Sequence, residues 1–163
     1  MSPPGVATRA TKLFAFITGL SLGAVGMALV SQHVFNMQPC PWCVLQRLIF
    51  LVIAVFGLLG LLLSRLAWGR RLAAGLSLLG AASGIAAALW LYFVASSSTS
   101  CNLTLADRIV SGLGLDALLP EVFEARASCA DAAVNLFGLP YPLWALALFV
   151  VVAVAALAAL RRG

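Results

Sequence analysis

Four long apolar runs dominate the chain, at about residues 13–30, 44–63, 72–95 and 143–160. A helix needs about 20 apolar residues to cross the roughly 30 Å hydrocarbon core of a bilayer, and each run has that length. The runs are continuous and rich in Leu and Ala, without the in-out alternation of a membrane β-barrel strand. They predict an all-α membrane protein, a bundle of four transmembrane helices forming one membrane domain over residues 1–163.

The composition agrees with a membrane protein. Of the 163 residues, 63% are hydrophobic and only 9% are charged, and the mean hydropathy is +1.09. Such values lie outside the range of soluble domains. The net charge of +5 does not indicate a nucleic-acid partner, because the basic residues lie at the ends of apolar runs and form no patch with interleaved aromatics.

The basic residues also predict the orientation in the membrane. With four spans, one side carries Arg9, Lys12, Arg65, Arg70, Arg71, Arg161 and Arg162. The other side carries Arg47, near the start of the second run, and loops at about residues 31–43 and 96–142, which hold two arginines and all five acidic residues. Because cytoplasmic loops carry the excess of Lys and Arg, both termini are predicted to be cytoplasmic and both loops periplasmic. We therefore predict a multi-pass membrane protein, which in a bacterium would be one of the inner membrane. The first run is too long for a signal-peptide core, so a retained helix is predicted.

The second loop contains an apolar repeat. Leu105, Ile109 and Leu113 recur at four-residue spacing, which predicts a short amphipathic helix. This helix is expected either to lie on the bilayer or to pack over the mouth of the bundle. We expect Gly112 and Gly114 to interrupt it.

Each predicted loop carries one pair of cysteines. Cys40 and Cys43 form a C-P-W-C sequence at the end of the first loop, and Cys101 and Cys129 lie in the second. Disulfides form and persist in the periplasm. If Pro41 takes the first helical position, Cys43 falls in the first turn of the second helix, where free N–H groups and the helix dipole favour a thiolate.

Arg47 follows Cys43 by four residues, so the two lie on one face of that helix, one turn apart. A thiolate beside a guanidinium at the membrane surface suits electron transfer to a lipid-soluble quinone. Arg47 would hydrogen-bond a quinone carbonyl and stabilise the developing negative charge. The alternative is that Arg47 extends to lipid phosphates.

Structural roles for the cysteines were weighed as well. Zinc sites use two close cysteine pairs or added histidines, whereas residues 102–128 separate the second pair, so no metal site is predicted. Four cysteines allow three disulfide pairings, and a structural disulfide in the second loop stays open. A disulfide within C-P-W-C closes too small a loop to stabilise the fold much. His33 is interpreted as an interfacial residue.

Three segments resemble the DsbB family of bacterial inner-membrane proteins, which reoxidise the periplasmic thiol oxidase DsbA and pass the electrons to quinone. They are QHV at residues 32–34, PCPWCVLQR at 39–47 and SCADAAVNLFGLPYPLW at 128–144. The resemblance implies four spans and two periplasmic loops with one cysteine pair each. It also implies a ubiquinone or menaquinone from the membrane pool.

The same resemblance implies roles for five residues. The thiolate of a DsbA-type partner would attack Cys101 of a disulfide in the second loop, and the freed Cys129 would attack Cys40. Cys43 would then leave as a thiolate that faces the quinone beside Arg47. The predicted function is that of a quinone-dependent protein-disulfide oxidoreductase in the lipid bilayer.

Two other functions agree with the same residues. One is a quinone-linked thiol oxidase for a different partner, such as a vitamin K epoxide reductase-like protein or a DsbB paralogue. The other is a non-enzymatic membrane scaffold stapled by disulfides.

Overall fold

The structure is a computed structural model that describes residues 4–97, 104–131 and 134–161. Four long helices and several short elements follow one another along the chain. They are α1 (Pro4–Val34), α2 (Pro41–Leu62), α3 (Ala67–Phe93), a 3-10 helix (Ala95–Ser97), α4 (Leu105–Gly112), α5 (Leu115–Leu118), α6 (Pro120–Phe123), β1 (Asn135–Leu136), β2 (Leu139–Pro140) and α7 (Tyr141–Arg161).

The helices α1, α2, α3 and α7 are long and apolar enough to cross a membrane. Each packs against the next along the chain, and α7 returns to α1, which closes a four-helix bundle. The predicted fold class, a four-transmembrane-helix bundle, is confirmed. The end of the bundle where α1 and α3 finish and α2 and α7 begin is called here the cysteine end.

All four membrane-length helices begin before their apolar runs, whereas α2 and α3 end before their runs do. Helix α1 begins at Pro4 and ends at Val34, beyond both limits of the run at 13–30. Hydropathy marks the part of a helix that suits hydrocarbon, whereas backbone hydrogen bonding continues into the polar boundary. Helix α2 begins at Pro41, the start that places Cys43 in its first turn, because Cys40 takes the extended N-cap conformation, with φ −85° and ψ 165°.

The core of the bundle pairs aromatic rings with small residues. Phe50 of α2 stacks on Phe149 of α7, with ring centroids 3.9 Å apart. A Cβ atom at Gly84 of α3 would overlap the Phe149 ring, and one at Gly60 of α2 would overlap the ring of Phe14. These glycines therefore allow the helices to approach closely.

Helix α4 occupies the segment of the predicted amphipathic helix. Thr104 and Asp107 form a capping box at its start. The helix ends at Gly112, and Gly114, with φ 65°, has the left-handed conformation from which α5 begins. The face that packs on α2 carries Ala106 and Val110, both buried. The repeat that predicted the helix, Leu105, Ile109 and Leu113, is exposed instead.

A short hairpin that was not predicted precedes α7. Strands β1 and β2 pair antiparallel, and Phe137 and Gly138 have φ values of 54° and 83° in the two-residue turn. Two left-handed residues match the right-handed twist of a hairpin. The indole N–H of Trp144 donates to the Leu136 carbonyl at 3.2 Å, which holds the hairpin on the first turn of α7.

Candidate redox site

The two cysteines of C-P-W-C lie together at the start of α2. The Cys40 sulfur accepts a hydrogen bond from the backbone N–H of Cys43 at 3.3 Å, and the two sulfur atoms are 2.7 Å apart. Cys40 is fully buried, and Cys43 is half-buried. This arrangement lets the pair form a disulfide with a small side-chain movement.

Cys129 of the second loop reaches the same place. It is buried beside Cys40, Leu91 and Ala95. Its sulfur is hydrogen-bonded to the Cys40 thiol and accepts the backbone N–H of Trp42. The Cys40 sulfur therefore lies between those of Cys43 and Cys129. The fourth predicted site residue, Cys101, lies outside the described residues.

These contacts shift the pKa values of Cys40 and Cys129 in opposite directions. Hydrogen bonding to Cys129 and Cys43, reinforced by burial, raises the pKa of Cys40 far above its ordinary value. The hydrogen bond from Cys40, helped by the Trp42 N–H, lowers the pKa of Cys129, although burial opposes this change. Cys129 is therefore favoured as the thiolate, and Cys40 as the thiol that keeps its proton.

Arg47 is buried within the protein, with 6% of its surface exposed. Nη1 donates to the Gln32 side-chain oxygen at 2.7 Å and to the Val122 carbonyl at 3.0 Å. Nη2 donates to the Ala28 carbonyl at 3.4 Å. Within the described ranges, Nε and the second hydrogen of Nη2 have no acceptor. Arg47 does not extend towards lipid phosphates in this structure, and two of its donors remain available.

Gln32, in the QHV segment, makes polar contacts for which the sequence predicted no role. It is buried near the end of α1, with 3% exposure. Its oxygen accepts from Arg47, and its Nε2 donates to the Glu121 carbonyl at 3.2 Å. A glutamine close to the end of a membrane-length helix was the available signal, because buried polar residues there are costly unless they are paired.

A cavity of about 840 Å³ lies beside these residues, with walls from α1, α2 and α7. Such a volume is typical of small-molecule sites. Cys43 and Arg47 lie in its wall at the cysteine end, and Leu20 and Leu148 line it further along the bundle. Gly19 and Gly23 of α1 also line it, and no atom of the described chain lies within 4 Å of where a Cβ would stand on either. The missing side chains therefore leave room for a ligand.

Two aromatic residues at the start of α7 complete the wall. Tyr141, whose hydroxyl is hydrogen-bonded to Ser31 of α1, and Trp144 both line the cavity. Trp42 lies elsewhere, 6.2 Å from the Trp90 ring. Cys40 and Cys129 do not line the cavity, so Cys43 alone of the three described cysteines contacts both the sulfur cluster and the cavity.

The second loop is fixed beside C-P-W-C by backbone hydrogen bonds. The N–H groups of Arg126 and Ala127 both donate to the Pro39 carbonyl, at 3.0 and 3.3 Å. On the surface, Arg126 pairs with Glu121 and Glu124 at 3.2 and 2.9 Å. His33 lies on this surface, 3.8 Å from the Glu121 carboxylate. Among the described residues, no three His, Cys, Asp or Glu side chains are arranged to hold a metal ion.

Comparison with known proteins identifies the family of the chain. The model of a protein family described as "Disulfide bond formation protein DsbB" matches residues 10–159, most of the chain. The chain belongs to the DsbB family.

Several DsbB relatives match along nearly their whole length. A disulfide bond formation protein B from Ralstonia nicotianae is 36% identical over 91% of this chain and 92% of its own. A disulfide bond formation protein B 1 from Pseudomonas savastanoi pv. phaseolicola is 37% identical over 100% of this chain and 97% of its own. A disulfide bond formation protein B from Burkholderia pseudomallei is 34% identical over 94% of this chain and 91% of its own. As a DsbB-family member, the chain is a disulfide bond formation protein with four membrane-length helices.

Proposed function

We propose that this DsbB-family protein reoxidises a periplasmic thiol oxidase of the DsbA type and passes the electrons to a membrane quinone. Disulfides are thereby generated de novo. One observation carries the proposal: Cys43 contacts Cys40 on one side, while on the other it lines a cavity with Arg47 in its wall. The positions of the basic residues support an inner-membrane orientation with both termini cytoplasmic and both cysteine loops periplasmic.

The cavity has the properties that a quinone requires. Arg47 retains two N–H donors for a ring carbonyl, and the wall beyond it is apolar, with open space at Gly19 and Gly23. A quinone bound there accepts two electrons and two protons and leaves as a quinol. Ubiquinone and menaquinone both fit this description. The acceptor has to be more oxidising than the partner, which for DsbA means above about −120 mV.

Electrons enter at the second loop. A thiolate of the reduced partner attacks Cys101 in a Cys101–Cys129 disulfide, and Cys129 leaves as a thiolate. The backbone N–H of Trp42 supports this step, because its hydrogen bond to the Cys129 sulfur lowers the pKa of Cys129 and makes it a better leaving group. The second thiol of the partner then resolves the mixed disulfide, which releases the oxidised partner and a Cys101 thiol.

Electrons next pass to the first pair. The Cys129 thiolate attacks Cys40 in a Cys40–Cys43 disulfide, and Cys43 leaves as a thiolate. The burial of Cys129 beside Cys40 supports this step. Attack of Cys101 on Cys129 restores the second disulfide and frees the Cys40 thiol. The Cys40–Cys43 pair is then reduced, and giving two electrons and two protons to the acceptor restores its disulfide.

Helix α4 has a role in this proposal. Its exposed face, formed by Leu105, Ile109 and Leu113, rests on the bilayer, while Ala106 and Val110 pack on α2. Both contacts keep the second loop close to the membrane, where Cys129 meets Cys40.

The test uses the purified protein, reduced DsbA and a soluble quinone analogue, with the loss of quinone absorbance as the readout. Cys43→Ser should abolish quinone reduction, and an unchanged rate would refute the assigned electron donor. Arg47→Ala should raise the KM for quinone more than the KM for DsbA. Capture of a different protein through a mixed disulfide to a Cys129→Ser variant would replace DsbA as the partner.

A further inference from the structure

We propose that Gln32 is a positioning residue that holds the second loop on the bundle and so keeps Cys129 beside Cys40. The inference rests on the proposed function, because it concerns the transfer of electrons between the two cysteine pairs. Electron transfer between the pairs then requires one group besides the cysteines. This group, a buried side-chain amide of α1, keeps the sulfur atoms of the two loops within reacting distance.

Gln32 links three parts of the chain through one amide group. Its oxygen accepts from Arg47 of α2 at 2.7 Å, while its nitrogen donates to the Glu121 carbonyl of α6 at 3.2 Å. Arg47 makes a parallel contact to the Val122 carbonyl at 3.0 Å. We call these three hydrogen bonds the Gln32–Arg47 bridge. A carboxamide supplies the acceptor and the donor that the bridge needs, whereas a carboxylate supplies only acceptors.

Helix α6 depends on such contacts. It has only four residues, Pro120–Phe123, and a single turn is unstable alone because its nucleation cost is not recovered. The carbonyls of its last turn also lack partners within the helix. The bridge donates to two of them, Glu121 and Val122, while Phe123 is buried against Val44 and Val110.

The chain between α6 and Cys129 is short, and hydrogen bonds hold it against the start of α2. Arg126 and Ala127 donate to the carbonyl of Pro39, the residue before Cys40. The Cys129 sulfur then accepts the Trp42 N–H. These contacts bring loop backbone to the start of α2, and they are favoured when α6 directs the chain towards C-P-W-C. The bridge provides that direction.

The bridge therefore affects both the rate and the equilibrium of disulfide exchange between the two loops. Exchange between Cys129 and Cys40 is intramolecular, and its rate and equilibrium depend on the effective concentration of one sulfur at the other. Loss of the bridge lets α6 leave the bundle and lowers that concentration. The Cys40–Cys43 pair, fixed by the first turn of α2, keeps its own geometry.

The first measurement uses the full chain with Cys43→Ser and Cys101→Ser, which leaves only Cys40 and Cys129. In glutathione buffers, the Cys40–Cys129 disulfide and two glutathione molecules exchange with two protein thiols and one glutathione disulfide. Equilibration from both directions gives the effective concentration directly and requires neither quinone nor partner. Gln32→Leu should lower it about tenfold, the effect of losing one or two buried hydrogen bonds.

Two further variants define the contact. Gln32→Glu keeps an acceptor for Arg47 but loses the donor to the Glu121 carbonyl, so its effect should lie between wild type and Gln32→Leu. Gln32→Glu also tests the proposal if Gln32→Leu does not fold. Glu121→Ala is the matched control, because its carboxylate pairs with Arg126 outside the bridge. Its effective concentration should stay within about twofold of wild type.

The second measurement separates positioning from the chemistry at the cavity. With Cys101→Ser and Cys129→Ser, dithiothreitol reduces the Cys40–Cys43 pair directly, and quinone reduction reports that pair alone. Because Gln32 contacts Arg47, Gln32→Leu should change the KM for quinone, but at saturating quinone the rate should fall by a smaller factor than the effective concentration does. An unchanged effective concentration overturns the inference, and so does an equal loss in both measurements. If the wild-type pair reduces no quinone, the proposed function fails, but the glutathione measurement still tests Gln32.

Discussion

Filling the cavity from Gly23 should weaken the use of quinones with long side chains. Gly23 precedes Gln32 by nine residues on α1, which places it roughly 13 Å further from the cysteine end at about 1.5 Å per residue. A ring held by Arg47 leaves this part of the cavity to the alkyl chain. The side chain of Gly23→Leu would occupy that space, because no described atom lies within 4 Å of the new Cβ.

The magnitude follows from the steric cost of overfilling the cavity, because the alkyl chain comes from lipid and not from water. Forcing that chain past a new leucine side chain should cost about 2 kcal/mol, as overpacking does in protein interiors. At about 1.4 kcal/mol for each tenfold change, the KM for a long-chain quinone should rise roughly thirtyfold. A short-chain analogue should show a change of less than about threefold, since its ring lies near Arg47.

Steady-state quinone reduction by the purified protein measures both KM values at saturating reduced partner. Gly26→Leu is the matched control, because Gly26 is also on α1 with no described atom within 4 Å of a Cβ, but it does not line the cavity. Both substitutions raise helix propensity equally. Equal KM values for Gly23→Leu and Gly26→Leu would show that the ligand does not occupy this cavity.

Two further predictions concern packing and acidity. Gly84→Ala should destabilise the bundle by about 1–3 kcal/mol, because the new methyl group overlaps the Phe149 ring. Thermal unfolding in detergent measures this loss of stability. Gly75→Ala is the control and should be neutral, because no described atom lies within 4 Å of its new methyl group. Reduced Cys129 should remain reactive to iodoacetamide at a lower pH than an ordinary thiol, because the hydrogen bond from Cys40 lowers its pKa and keeps the thiolate as pH falls. Cys40→Ala removes that donor, so the pH of half-maximal alkylation should rise, and an unchanged profile contradicts the assignment.

The helices could be predicted from the sequence because membrane spans need a long apolar run whatever their neighbours are. The relation between Cys43 and Arg47 could also be predicted, since four residues make one turn of a helix. Pro41 after Cys40 set the start of α2 for the same local reason. In each case the residues that decide the structure lie within one element.

The cavity and the Gln32–Arg47 bridge could not be predicted, because their parts are distant in sequence. The hydrogen bond from Gln32 to the Glu121 carbonyl spans 89 residues. The repeat in α4 predicted the helix but not its buried face, because Ala106 and Val110 are small enough to pack closely on α2 while the larger Leu105 is left exposed. The hairpin at β1 and β2 has only two residues per strand, too few for an alternating pattern.

The cavity lies between α1 and α7, within the length of the helices that cross the membrane. A hydrophobic electron acceptor that enters between these helices arrives by lateral diffusion in the bilayer, and its relevant concentration is its mole fraction in lipid. Turnover should then fall when empty lipid or detergent is added at constant protein and total acceptor. The rate of turnover would therefore depend on the mole fraction of oxidised acceptor in the lipid. For the thiol partner, it would depend on the concentration in the aqueous phase.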